Sequence, residues 1–214
     1  MKLDINGFMT GTDSKTEWML PWFIENFKKY NSTHLVVVDF GMSEEMASYA
    51  SKHADSLADL REQKGKGWFG KPLSMMNSPF KKTFWLDLDC EVLGEIDHMF
   101  DLIVPEKLNM VIDRPWSKRF KTTMYNTGVV GFENKPSILA KWTAGLNPSI
   151  HRGDQEGLWS LLDDLQRLIF INEIPHKYNT LRLDHLDGTA PKDILINHWT
   201  GTKGNTHIRS LMDE

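Results

Sequence analysis

Residues 34–40, HLVVVDF, constrain this chain more than any other stretch. Leu35, Val36, Val37 and Val38 are consecutive and three of them are β-branched, so a strand built from them offers neither face to water. Such a strand belongs inside a sheet covered on both sides, and helices are what cover it. Residues 83–88 repeat the pattern around Phe84, Trp85 and Leu86.

The neighbouring segments supply the helices. Residues 16–30 place Trp18, Trp22, Phe23 and Phe27 near one helical face, with Pro21 in the first turn, where proline is tolerated. Ser43 reads as the N-cap of a helix over 44–53. Residues 3–10 alternate loosely and run into Thr10-Gly11-Thr12-Asp13, a strand feeding a turn. A polar, glycine-rich loop over 63–70 precedes a helical segment around 71–78, and further strands are expected over 110–113 and 129–132. Leu158, Leu161, Leu162, Leu165 and Ile169 recur at helical spacing, which predicts one amphipathic helix over 154–169. The expected fold is therefore α/β: a mixed, mostly parallel central sheet with helices on both faces, in a single domain over 1–214.

Composition narrows the function. The net charge is −4 and no long block of like charge occurs, which argues against a nucleic-acid groove. Cys90 is the only cysteine, so no internal disulfide can form. No apolar run approaches membrane-spanning length and residues 1–11 lack a signal-peptide core, so a cytoplasmic protein without a membrane anchor is expected. The oligomeric state cannot be read.

Chemistry concentrates where the strand over 83–88 ends, in Asp87 and Asp89. In open α/β sheets ligands bind outside the carboxyl ends of the strands. Residues i and i+2 of an extended chain point to the same side, so two carboxylates would converge there and call for a cation, with Mg²⁺ or Mn²⁺ suiting oxygen ligands. The plain alternative is that solvated aspartates merely stop the strand. An EF-hand loop is disfavoured because Val92 stands where its glycine belongs.

Five segments in order then carry a resemblance: FMTGTD (8–13), GKPLSMMNSPFKKTFWLDLD (70–89), YNTGVVGFE (125–133), GDQEGL (153–158) and HWTGTKGN (198–205). Together they resemble GT-A-fold glycosyltransferases, most closely the family-8-type retaining enzymes that include glycogenin and bacterial galactosyltransferases. The resemblance implies a Rossmann-like GT-A domain that moves a sugar from a nucleotide diphosphate sugar, UDP-glucose or UDP-galactose, to an unknown carbohydrate or other hydroxyl acceptor.

It also implies roles. Asp87, Asp89 and His198 would hold Mn²⁺ or Mg²⁺, and Asp87 would also face the donor. Thr10, Gly11 and Thr12 would cup the uracil and ribose, for which no aromatic platform is evident nearby. Lys71, sixteen residues before Asp87, would reach the donor sugar and phosphate, its alternative being an exposed residue before Pro72 at a helix start. Gly201 and Lys203 would meet the diphosphate, although Lys203 lies five residues after His198 rather than the family's six and is followed by Gly-Asn instead of Pro-Trp. Asn126 would bind the donor sugar, Gln155 would sit at the anomeric centre, and Asp154 would hold sugar hydroxyls or orient the site. Capping is the alternative for Asp154 and for Asp113. Trp116 and Trp199 neighbour these candidates and could stack on sugars. A nucleotide-sugar or carbohydrate-binding protein without turnover is the competing function.

Overall fold

The computed structural model describes residues 5–62 and 67–213. Its first half runs β1 (Asn6–Thr12), α1 (Leu20–Lys28), β2 (Leu35–Asp39), α2 (Glu44–His53), β3 (Ser56–Asp59), α3 (Gly67–Met76), β4 (Lys82–Leu86), β5 (Cys90–Val92) and β6 (Leu108–Ile112). The second half runs α4 (Arg114–Phe120), β7 (Tyr125–Glu133), α5 (Ser137–Gly145), α6 (Asp154–Ser160), α7 (Asp164–Phe170), β8 (Ile171–Glu173), β9 (Thr180–Leu181), α8 (Arg182–Asp187), β10 (Ile196–His198) and α9 (Gly201–Met212).

A seven-stranded sheet, ordered β3-β2-β1-β4-β7-β6-β8, forms the centre. Only β7 is reversed, pairing antiparallel with both β4 and β6, so the sheet is mixed and mostly parallel as expected. Consecutive residues of its strands feed two separate cores. Phe8, Val37, Phe84 and Leu86 pack on one face with α1, where the Phe8 ring lies 5.1 Å from Phe27 and 4.9 Å from Phe100. Met9, Val36, Val38, Trp85 and Val130 pack on the other face with Trp142 of α5. Every residue of β2 is buried, which is the condition its β-branched run demanded.

The smaller sheet, ordered β5-β10-β9, is attached just beyond β4. Its strands are two or three residues long, too short to carry a readable period, and the sequence does not announce them. No helix among the described residues is long and apolar enough to cross a membrane.

Local expectations hold with some corrections. The Ser43 hydroxyl accepts the Met46 N–H at 3.2 Å and caps α2. Pro21 sits in the first turn of α1, which follows a short 3-10 turn over Glu17–Met19. The helix expected around 71–78 begins earlier, so Pro72 lies inside α3 and Lys71 is buried rather than exposed at a helix start. Most of the loop expected over 63–70 falls on residues 63–66, outside the described ones.

The single helix expected over 154–169 is two. Asp163 starts α7 with a capping box, accepting the Gln166 N–H at 2.7 Å while its own N–H donates to the Gln166 side chain at 3.0 Å. Leu165 and Ile169 consequently face solvent. Asp154 is the first residue of α6 and not its cap; Gly153 occupies the cap position in extended backbone.

Candidate active site

At the end of β4 the chain turns over Asp87 to Asp89. The Asp87 N–H donates to the Gly128 carbonyl of β7 at 2.7 Å, and the Cys90 N–H closes the turn on the Asp87 carbonyl at 3.0 Å. Because the extended backbone stops here, each aspartate has its own partner. Asp87 accepts from the Trp85 indole N–H at 2.7 Å and from Lys71 Nζ, which lies 2.8 Å from Oδ1 and 3.0 Å from Oδ2.

Lys71 is a buried cation. Its Nζ also pairs with Asp154 Oδ2 at 2.8 Å and donates to the Thr127 carbonyl at 3.1 Å. Burial pulls its pKa down, but the charges of Asp154 and then Asp87 outweigh that and hold the ammonium well above the usual lysine range. Lys71 therefore ties α3, the β4 turn and the start of α6 together as a fixed positive charge.

Asp89 faces His198, whose Nε2 lies 3.0 Å from its Oδ1. The smaller sheet creates this meeting, because antiparallel pairing of β5 with β10 sets His198 opposite Cys90. The Trp199 N–H fastens the next residue to the Asp89 carbonyl at 2.9 Å. Gly128 makes room for the imidazole, since a Cβ there would run into the His198 ring. Burial disfavours the imidazolium, yet the Asp89 charge and hydrogen bond, aided by Asp87, raise the His198 pKa overall.

A chain of hydrogen bonds fixes the imidazole tautomer. The Gly128 backbone N–H can only donate, so the Asn126 atom it meets at 2.9 Å is the amide oxygen. That oxygen also lies 2.8 Å from the Asn179 side chain, which must present its NH₂ there and its oxygen to His198 Nδ1 at 3.0 Å. Nδ1 thus carries a proton, and in the neutral ring Nε2 is left as the lone-pair nitrogen on the Asp89 side. The Asn126 NH₂ donates onward to Asp113 Oδ2 at 3.2 Å and Gln155 Oε1 at 3.1 Å, and Gln155 donates back to Asp113 Oδ2 at 3.0 Å. Asp113 also caps α4 through the Trp116 N–H at 3.1 Å, so capping and site contact coexist in one residue.

The donor set fits a divalent cation. Among the described residues the ligand-capable atoms of Asp89, Cys90 and His198 lie within 4.8 Å of one another. Burial, and then the Asp89 and Asp87 charges, push the Cys90 thiol well up, which leaves it protonated and a poor ligand. A carboxylate oxygen of Asp89 and an imidazole nitrogen with a fixed tautomer remain; Asp87, expected to converge with Asp89, lies outside this group because the chain turns after β4 and both its oxygens are engaged by Lys71 and Trp85. Oxygen and nitrogen donors of this kind suit Mn²⁺ and permit Mg²⁺.

Three cavities line up along these residues. The first, about 380 Å³, is bordered by Gly11, Thr12, Phe40, Trp68, Lys71 and Asp89 and by the start of α9 at Gly201 and Thr202. Asp87 also borders it and opens onto the second, about 290 Å³, which is lined by Asp113, Asn126, Asp154, Gln155 and His198. Trp116 and Gln155 are shared between the second cavity and a third of about 360 Å³.

Most of the residues singled out from sequence come together here, with exceptions. Thr10 is fully buried, its hydroxyl meets no partner, and it does not border the first cavity. Lys203 is exposed on the first turn of α9 and is not among the residues lining that cavity. Trp199 donates its indole N–H to Glu91 at 3.0 Å and stacks beside His185, away from the three cavities. Sequence reasoning missed Asn179, Phe40 and Trp68. The aromatic wall not evident in sequence is Phe40 with Trp68, and Gly11 exists for it, because a Cβ there would come within 2.6 Å of the Phe40 ring.

No protein-family model and no curated protein sequence matches the chain. The architecture is that of GT-A glycosyltransferases. Solved structures that share it include galactosyltransferase LgtC in complex with donor and acceptor sugar analogs, with a TM-score of 0.66 at 12% identity over 97% of this chain and 94% of LgtC. The glycosyltransferase GlyE of Streptococcus pneumoniae gives 0.69 at 18% identity over 92% of this chain and 55% of GlyE. Mouse xyloside xylosyltransferase 1 gives 0.60 at 13% identity over 91% and 97%. At these identities the likeness is one of fold.

Proposed function

We propose that this chain is a metal-dependent glycosyltransferase that moves a hexosyl group from UDP-glucose or UDP-galactose to a hydroxyl acceptor with retention of configuration. The observation that carries this reading is the order of the three joined cavities: cation-ready residues and a helix N-terminus at the first, a fixed amide network at the second, an open aromatic chamber at the third. LgtC and the mouse xylosyltransferase, by their names, move sugars on the same fold.

In this reading Gly11, Thr12, Phe40 and Trp68 receive the base and ribose. The diphosphate lies against Lys71 and the first turn of α9, where unpaired backbone N–H groups favour anions and Gly201, with φ of +74°, takes a conformation that other residues resist. Lys203 stands on the same turn but outside the cavity lining, so its positive charge acts on the donor only at a distance. Asp89 and His198, with Asp87, would hold the metal, which when bound supplies charge to stabilise the departing diphosphate.

The second cavity handles the sugar. Asn126, Asp113 and Asp154 hold its hydroxyls and Gln155 stands beside the anomeric carbon. A neutral amide makes a poor nucleophile, so retention follows from substitution on the face that the diphosphate leaves. The anomeric C–O bond to phosphate breaks, the acceptor oxygen bonds to the anomeric carbon, and the acceptor's proton passes to the departing phosphate oxygen.

Calorimetric titration of UDP tests the reading. With Mn²⁺ the wild type should bind at least tenfold more tightly than with EDTA, and Asp89→Ala should lose that metal-dependent gain while melting as a folded protein. Equal affinity in all three cases would remove the metal site. Tight metal-dependent donor binding with neither hydrolysis nor transfer of UDP-hexoses would favour the binding-protein alternative.

A further inference from the structure

The third cavity has no part in holding the donor, yet it is built. We infer that it is the acceptor subsite and that the acceptor presents a neutral pyranose ring, stacked on an aromatic platform formed by Trp116 and Phe120 opposite Trp159. This inference rests on the glycosyltransferase reading for its role, but not for its chemistry.

The platform is a product of helix periodicity. Trp116 and Phe120 are four residues apart on α4, and their rings stack with centroids 5.4 Å apart and 17° between planes. The Phe120 and Trp159 rings lie 6.5 Å apart, so α4 and α6 each contribute a wall. The Arg119 guanidinium sits 5.0 Å from the Trp116 ring and steadies it. Phe120 is 56% exposed and Trp116 40%, large apolar surfaces that folding has left open to solvent. Burying such a face is favourable, and an aromatic ring matches the C–H face of a pyranose.

The rim is polar in the way a sugar requires. Arg152 and Glu156 border the cavity, and the Arg152 backbone N–H donates to the Glu156 carboxylate at 2.6 Å. Their charges are opposite, so these two lining residues carry no net charge between them and offer hydroxyl partners of both kinds. At about 360 Å³ the chamber is within the range of small-molecule sites. Its position decides the role: Gln155 and Trp116 border both this chamber and the cavity assigned to the donor sugar, so a ring held here would be the direct neighbour of that sugar.

The test measures acceptor binding directly, by saturation-transfer NMR of the full chain with methyl glycosides of glucose, galactose, mannose, xylose and N-acetylglucosamine, and with lactose and maltose, each with and without UDP and Mn²⁺. At least one should show strong saturation of its ring C–H protons. Phe120→Ala should weaken that binding tenfold or more, whereas Trp116→Tyr, which keeps an aromatic ring, should stay within about threefold of wild type. Phe120 is mostly exposed, so its truncation is expected to leave the melting temperature in place. Failure of every saccharide to bind, or binding indifferent to Phe120→Ala, overturns the inference. So does a chamber that takes p-nitrophenol or an alkyl chain and rejects every sugar. Saccharide binding at the platform in a protein that ignores UDP would uphold the sugar chamber while sinking the transferase reading.

Discussion

At the residue scale the least expected member of the site is Asn179, which is 1% exposed and lies in a segment with no motif. It holds the Nδ1 proton of His198 and is itself oriented by Asn126, so the histidine proposed to hold the metal and the asparagine proposed to bind the sugar share one hydrogen-bond chain. Outer partners of metal-binding histidines typically govern about 10–100-fold in metal affinity. Asn179→Ala is accordingly expected to weaken Mn²⁺ binding by about that factor, measured by electron paramagnetic resonance of free Mn²⁺. The ¹⁵N shifts of the His198 ring should move from one dominant neutral tautomer to a mixture. Unchanged Mn²⁺ affinity together with an unchanged tautomer would refute the role. Asp89 and His198 were legible in sequence because motifs carry them. Asn179 was not, because its role depends on a loop that sequence spacing cannot place.

At the element scale the smaller sheet stands or falls with a few buried polar contacts. Asp184 of α8 is fully buried and accepts from the Leu181 N–H at 2.9 Å and the Thr189 hydroxyl at 2.9 Å, with His176 Nε2 2.9 Å away. Burial pushes its pKa up, but the His176 hydrogen bond, the Leu181 N–H and the His176 charge together pull it below the ordinary value. The sign follows: a depressed carboxyl adds stability above its unfolded pKa, and that stability is lost as pH falls through the folded one. Urea denaturation from pH 5 to pH 2 should show wild type losing stability at the acid end that Asp184→Asn has already lost, with the variant about 2 kcal/mol less stable at pH 5. Parallel profiles for the two proteins would count against this account. The α6–α7 break teaches a related lesson. The leucine spacing over 158–169 fits one helix, and the Asp163–Gln166 capping box that divides it was present in sequence but masked by that periodicity.

At the scale of the whole molecule the site joins two sheets: Asp87 and Asp89 follow β4 of the large one, and His198 ends β10 of the small one. Ligands that grip both should stabilise the fold as a unit. At 100 times its dissociation constant a ligand adds about 2.7 kcal/mol, which for a chain of this size raises Tm by about 5–10 °C. Mn²⁺ with UDP is expected to produce such a shift and EDTA to abolish it, read by differential scanning fluorimetry. A donor-induced rise that survives EDTA would separate donor binding from the metal. By itself the sequence determined the class of fold, because unbroken β-branched runs can be buried only between layers of helices, and it determined the acidic end of β4, because alternation and turn chemistry are local. The tertiary structure alone decided which partner each carboxylate takes, that Lys71 is buried between Asp87 and Asp154, and that α4 and α6 enclose an aromatic chamber. Those contacts join residues 83 positions apart for Lys71 and Asp154 and 109 apart for Asp89 and His198, distances across which no period or motif extends and only the packing of the sheets can act.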